Sequence, residues 1–353
     1  MATGLGKTRT AVALVKALLS AGLAKRILFV VDRRMLAKQA VDDGFSLISK
    51  DYSSVWLTTS NFRSRKNASI HVVVIDTLEI IHRDLSPNFY DLIIVDECHR
   101  SINVNRKLIF DHFLCPRVGL TATPRVDGHN VAEEDLAILD TYKLFGCESG
   151  DPDFQFDMAR GIDEGFLAPY KPIEIKSSLI AEAEKEGITF DHVLDPKEKY
   201  IIELGAEKKI KLETLNRKYI SEENCLRIAE EIKKHTQFGE KVILFGVSQA
   251  HCIELAKAVN KVFDNNNYEK PYYAEAVISE NSELNETLKA WFKKPYQKPY
   301  VVTSVDIFST GVDIPCVRHI AFASLTNSVG QYIQMIGRGT RLDPKTGKFS
   351  FKV

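Results

Sequence analysis

Apolar residues in the first half of the chain fall in short, nearly continuous runs at 26–31, 54–57, 71–75, 91–95 and 117–120. Runs of this length, rich in Val and Ile, predict strands buried on both faces. The stretches between them read as helical, and residues 11–23 form an amphipathic example. Strands alternating with helices predict a parallel sheet covered on both sides. A second block of the same kind starts near residue 222, with strands expected at 241–245, 273–277, 300–303 and 317–322 and a strand-like stretch at 348–353. Residues 168–220 are more charged and less regular. Within them, 181–186 and 207–209 read as solvated helix faces. The pattern therefore predicts an α/β protein of two parallel-sheet lobes, 1–168 and 222–353, joined by a connection at 169–221.

Bulk properties narrow the partners. The 353 residues carry 47 Lys and Arg against 47 Asp and Glu, so no global field draws the chain to nucleic acid, and any such contact must be local. The six cysteines show no C-x-x-C spacing and no zinc-like cluster with histidine, which fits reduced thiols in a cytoplasmic protein. No apolar run approaches membrane-spanning length, so no membrane partner is expected. Residues 11–24 imitate a signal peptide, but Lys16 breaks the run. Lys294-Pro295-Tyr296 and Lys298-Pro299-Tyr300 repeat a tripeptide, read as a rigid lead into a strand.

The chemistry-bearing residues sit at predicted strand ends and turns. Met1-Ala2-Thr3-Gly4-Leu5-Gly6-Lys7-Thr8 keeps the second half of the phosphate-loop pattern G-x-x-x-x-G-K-[ST], with Met1 in place of the leading glycine. Gly4 and Gly6 let backbone N–H groups crowd a polyphosphate, Lys7 offers a charge to the β/γ oxygens, and Thr8 offers a hydroxyl to Mg²⁺. The apolar run 91–95 then delivers Asp96 and Glu97 to a sheet edge. Asp96 suits Mg²⁺, and Glu97 suits activation of a water; two acids capping a helix near His99 are the plainer alternative. Thr121 and Thr123 close another strand, where small hydroxyls can hydrogen-bond an acid on the neighbouring strand; alone, they make only a Thr-rich turn into Pro124. In the second block, Arg338 and Arg341 are three apart and would share a helix face, suited to a γ-phosphate or to salt bridges. Gly311 would allow close approach of a ligand, and Asp313 could accept hydrogen bonds from ribose or from an arginine.

In this order the motifs resemble the superfamily 2 helicases and translocases, and the resemblance covers nearly the whole chain. It rests on the loop at 1–8, Asp96-Glu97-Cys98-His99, Thr121-Ala122-Thr123, Thr310-Gly311-Val312-Asp313 and the segment from Gln334 to Arg341. It implies two RecA-like lobes in tandem, with ATP and Mg²⁺ in a nucleotide cleft between them and nucleic acid across both. Thr3, Gly4, Leu5, Gly6, Lys7, Thr8, Gly311 and Asp313 would then bind ATP, with Thr8 and Asp96 on Mg²⁺. Lys7, Asp96, Glu97, Gln334, Arg338 and Arg341 would be catalytic, while His99, Thr121 and Thr123 would couple the nucleotide site to motion. Arg33, Thr77 and Thr303 would lie on the DNA side; Arg33 could equally be a solvated charge and Thr77 a helix cap.

More narrowly, the chain resembles the restriction (motor) subunit of type I restriction-modification enzymes. The residues that carry this are 29–33, the Asp-Glu-Cys-His form of the acidic motif, 161–170 and 336–341. That resemblance implies an ATP-dependent double-stranded DNA translocase with methyltransferase and specificity subunits as partners. Alternatives are another superfamily 2 DNA or RNA helicase, an ATP-binding scaffold without turnover, or a small-molecule P-loop kinase, which would not need the second block. The family's upstream nuclease domain and adenine-gripping segment are absent, and the strand that would feed the loop is missing. The chain therefore reads as a motor core cut from a longer polypeptide. Asp153, Glu174 and Lys176 imitate the P-D…E-x-K nuclease pattern, but the segment falls where the family has strand and linker. Arg63, Arg65 and Lys66 beside Phe62 read as an exposed loop.

Overall fold

The β-branched runs become strands because both of their faces are covered. In a computed structural model that describes residues 1–100, 104–124, 140–173, 220–263, 272–278, 282–305, 313–323 and 329–353, the chain divides into two compact units, Met1–Met158 and Ala159–Val353. The first holds β1 (Ile27–Val31), β2 (Ser54–Leu57), β3 (Ile70–Val74), β4 (Leu92–Asp96) and β5 (Arg117–Leu120). They lie in the order β2-β3-β1-β4-β5, every neighbouring pair parallel. Leu28, Val30, Val73, Ile93 and Val95 face one core, while Ile27, Phe29, Val31, Val72 and Ile94 face another. Helix α1 (Lys7–Ser20) buries Ala11, Val12 and Val15 in the second of these cores. Helices α3 (Ile75–Ile81) and α4 (Val104–His112) cover the first core with Leu78, Ile81, Ile109 and Phe110. Between α1 and α3 in sequence, α2 (Arg34–Gln39) runs on into a π-helical turn at Ala40–Gly44.

The order of the strands fixes where a ligand can bind. β1 is central, with β3 and β2 on one side and β4 and β5 on the other. Connections therefore diverge at the carboxyl ends of β1 and β4, the crevice that open α/β sheets use for ligands.

The second unit holds β6 (Tyr170–Lys171), β7 (Lys241–Phe245), β8 (Ala274–Ala276), β9 (Val301–Ser304), β10 (Val317–Phe322) and β11 (Phe351–Lys352) in the order β6-β11-β10-β7-β9-β8, again all parallel. α5 (Thr141–Leu144) still belongs to the first unit and α6 (Met158–Asp163) opens the second, whose core is built by α7 (Glu222–His235) and α8 (Gln249–Phe263). These pack Cys225, Ala229, Leu255 and Val259 against Val242, Leu244 and Val301. Ser221 caps α7 by accepting the Asn224 N–H at 3.3 Å. Glu222 and Glu223 open that helix and Lys233, Lys234 and His235 close it, as its dipole favours. Helices α9 (Ser282–Phe292) and α10 (Val329–Ile336) follow.

The two units part earlier than position 168. The Ala168 N–H donates to Thr340 O at 2.6 Å, and β6 is the edge strand beside β11, so 167–171 packs with the second unit. The charged stretches 181–186 and 207–209 lie outside the described residues, as do Glu174 and Lys176. Among the described residues no helix is long and apolar enough to cross a membrane. All six cysteines are free thiols.

Candidate functional site

Gly4 and Gly6 both take positive φ, 90° and 83°, a region that costs glycine little. Gly6 is the N-cap of α1, and it has no side chain to cap with. The first turn also carries no acid. The leading N–H groups of α1 are thus left for an anion, with the positive end of the helix dipole behind them. Lys7 is the first residue of that helix, and its Nζ lies 3.6 Å from Glu97 Oε1 and 3.5 Å from Met1 O. Thr8 follows, its methyl packed so closely on the π-helical turn that a Cβ at Gly44 would lie 3.3 Å away. The phosphate loop and the acid pair, 89 positions apart at Lys7 and Asp96 (96 − 7), therefore meet at one edge of the first sheet.

Asp96 ends β4 and is buried. Burial, and then the neighbouring charge of Glu97, push its carboxyl up to about 7, against the opposing pull of Lys7. Glu97 has φ 48°, rare for a residue with a Cβ, and its N–H donates to Asp96 Oδ1 at 3.0 Å. That local bond and the strained backbone turn the Glu97 side chain toward Lys7. Its Oε2 is buried without a hydrogen-bond partner and lies 3.5 Å from His99 Nδ1. Two adjacent acids facing a single lysine are under-compensated, which is the setting in which a divalent cation restores the ionised forms. Among the described residues no cluster of three or more His, Cys, Asp or Glu could hold a metal. A cation here would draw its remaining oxygens from phosphate and water, which suits Mg²⁺ with Thr8 and Asp96.

The hydroxyl of Thr121 does not reach an acid directly, as the sequence reading allowed. Thr121 Oγ1 pairs with His99 Nδ1 at 2.8 Å and accepts the Thr123 N–H at 3.0 Å. The buried His99 ring stands between the threonine and Glu97. Gly119 lets β5 run this close: a Cβ there would come within 2.9 Å of both Cys98 Sγ and the Phe145 ring. Asp32, at the carboxyl end of β1, was not foreseen. Its charge helps raise Asp96, and its Oδ2 lies 3.5 Å from Arg33 Nε. The signal was available, because Val30-Val31-Asp32-Arg33 puts an acid at a strand end just as the Asp96 run does.

In the second unit the arginines do not share a helix face. α10 ends at Ile336, with Gln334 buried in its last turn. Gly337, Arg338 and Gly339 form turns, with N–H groups returning to Ile333, Met335 and Ile336. Thr340 Oγ1 then donates to Gly337 O at 2.9 Å, and Arg341 lies beyond, outside any helix or strand. A Cβ at Gly339 would overlap the Phe351 ring, so the turn after the helix needs glycine there. Arg341 Nη1 donates to Asp313 Oδ2 at 2.8 Å, the arginine option raised for that acid; Asp313 Oδ1 is buried without a hydrogen-bond partner. Gly311 lies outside the described residues.

The residues expected on the DNA side have different placements. Arg33, the N-cap of α2, is 40% exposed. Thr77 is partly exposed inside α3, whose N-cap is Val74, so it does not cap that helix. Thr303 lies on β9, buried, and donates to Cys252 O at 2.7 Å. The loop at 63–66 is exposed as expected, with Arg63 paired to Asp84 at 3.1 Å and Phe62 turned into the core.

Residues 1–126 match the family described as "Type III restriction enzyme, res subunit", and residues 223–343 match "Helicase conserved C-terminal domain". The whole chain is 27% identical, over 376 residues, to the Type I restriction enzyme EcoAI endonuclease subunit of Escherichia coli, covering 42% of that protein. It is also 27% identical, over 395 residues, to the EcoKI endonuclease subunit of Escherichia coli strain K12, covering 32% of it. The chain thus spans less than half the length of these relatives. Among solved structures, a fragment assigned as an HsdR subunit of a type I restriction enzyme from Vibrio vulnificus superposes with a TM-score of 0.70 at 26% identity, across 100% of this chain and 58% of that one.

Proposed function

We propose that this chain is the core of an ATP-driven motor of the superfamily 2 helicase kind that moves along double-stranded DNA, a reading supported by its matches to the restriction-subunit and helicase C-terminal families and to type I restriction endonuclease subunits. The observation that carries this reading is the meeting of Lys7, at an open helix N-terminus, with the Asp96–Glu97 pair. That arrangement suits a nucleoside triphosphate, and Glu97 would then be the carboxylate that orients a water attacking the γ-phosphorus.

Each residue has a role in this reading. The residues from Thr3 to Gly6 would cradle the phosphates with backbone N–H groups, and Lys7 would neutralise the β/γ oxygens. Thr8 and Asp96 would hold Mg²⁺, which when bound supplies charge neutralisation for the phosphates. Glu97 would orient and deprotonate the water, sharing its charge with Lys7 and His99. Gln334, Arg338 and Arg341 of the second unit would stabilise the transferring γ-phosphoryl group, and Asp313 would keep Arg341 aimed until then. The His99–Thr121 link gives loss of the γ-phosphate a route to the end of β5. Methyltransferase and specificity subunits would supply sequence recognition, which accords with a formal net charge of +0 on the chain.

The match to a general helicase C-terminal domain also suits a motor that parts strands. A duplex carrying a labelled third strand separates the two. The translocase displaces the third strand in the presence of ATP and leaves the duplex paired. Separation of the duplex itself would move the reading to a strand-separating helicase.

A further inference from the structure

Lys348 belongs to none of the motifs above, yet it is fully buried, with 0% of its surface exposed. It lies between the short turn at Pro344–Thr346 and β11. Burying an ammonium is costly unless it is paired. The partners of this one are neutral carbonyls, Pro315 O at 2.8 Å and Gly339 O at 2.7 Å. Burial holds its pKa down to about 7. A methionine would fill a similar volume without that cost, so packing alone does not call for lysine.

The two carbonyls show what lysine provides. Pro315 lies two residues beyond Asp313, and Gly339 lies two residues before Arg341. The ammonium therefore joins the two segments whose side chains meet in the Arg341–Asp313 pair. Lys348 is itself fixed: its N–H donates to Asp343 O at 2.9 Å, and its carbonyl accepts the Asp343 N–H at 3.0 Å. Arg318 adds a bond from Nη2 to Thr346 O at 2.6 Å, tying the same turn to β10.

We propose that Lys348 is a positioning residue, a buried staple that holds the Asp313 segment and the Gly337–Arg341 turn in one register so that Arg341 is presented correctly for ATP hydrolysis. The inference rests on the reading of Arg341 as a residue of that reaction. A staple acts through Arg341, whereas general packing would act independently of it.

A double-mutant cycle on duplex-stimulated ATP hydrolysis by this chain tests it, using Lys348→Met, Arg341→Ala and the pair, each with its melting temperature. Lys348→Met should lower kcat by about 10- to 100-fold, the scale of a group displaced by about an ångström. Its KM for ATP should stay within about twofold of the parental value, since ground-state binding is untouched. The double variant should be no slower than Arg341→Ala. A parental kcat for Lys348→Met beside a slow Arg341→Ala overturns the staple and leaves the arginine reading standing. A parental rate for Arg341→Ala overturns that reading and the staple with it. Losses that multiply overturn the staple alone. Lys348→Leu, which likewise removes the donor, is judged by the same criteria if the methionine variant does not fold.

Discussion

Glu97 spends backbone strain and burial on one carboxylate. Its positive φ, its N–H bond to Asp96 and its approach to Lys7 all act on the direction of the side chain. A residue held this way for chemistry should lose chemistry when its proton affinity is removed and its shape is kept. Glu97→Gln should therefore bind MgATP near the parental affinity while turnover falls by about 10²- to 10⁴-fold, the usual contribution of a general base. Equilibrium nucleotide binding and phosphate release, measured separately, check this. Parallel losses in both would make Glu97 a structural residue. The Arg341–Asp313 pair is different, because both partners are more than a third exposed. An ion pair there contributes little stability, so its interest lies in fixing the direction of the guanidinium.

At the scale of elements, β3 carries a polar residue in a strand otherwise apolar and buried. His71 is accommodated because Nε2 faces Arg65 O at 3.0 Å and Nδ1 faces the Tyr90 hydroxyl at 3.0 Å. An N–H donated to the carbonyl and an acceptor toward the hydroxyl describe a neutral ring. Burial accordingly lowers its pKa to about 4. Between pH 6.5 and 4 the unfolded chain takes up the proton and the folded chain does not, so acidification favours unfolding. The first unit should lose about 1.4 kcal/mol of stability per pH unit across that window from this residue. Urea unfolding at pH 7 and pH 4.5 reads it. His71→Gln should remove that part of the slope, and an unchanged slope would contradict the assignment.

The strands themselves were legible because a doubly covered strand needs uninterrupted apolar residues; 241–245 and 317–322 were bounded correctly, and 71–75 was displaced by one residue because Ile75 opens α3. Lys7 and the acid pair were legible because phosphate loops and strand-end acids are local patterns. The close packing of Phe351 on Gly339 was not, since it brings in a strand twelve residues on (351 − 339). The same holds for the burial of Thr303 and for the insertion of His99 between Thr121 and Glu97, which are set by neighbours distant in sequence.

For the whole molecule, a formal net charge of +0 means that any DNA contact must come from placed cations and not from a general field. Binding to duplex should be weak and indifferent to sequence, with log K falling linearly in log salt by roughly 0.9 per phosphate neutralised. Arg33→Ala should weaken unrelated duplexes alike and reduce that slope by about one contact. A titration of several duplexes across salt checks both, and preference for one duplex by several kcal/mol would contradict recognition delegated to other subunits. An ATP-driven motor on DNA couples nucleotide turnover to duplex DNA. Phosphate release from ATP should be slow for the chain alone and rise severalfold or more when duplex DNA is added, with no such rise in Lys7→Ala. A rate indifferent to duplex DNA, or a Lys7→Ala variant that turns over at the parental rate, would contradict it.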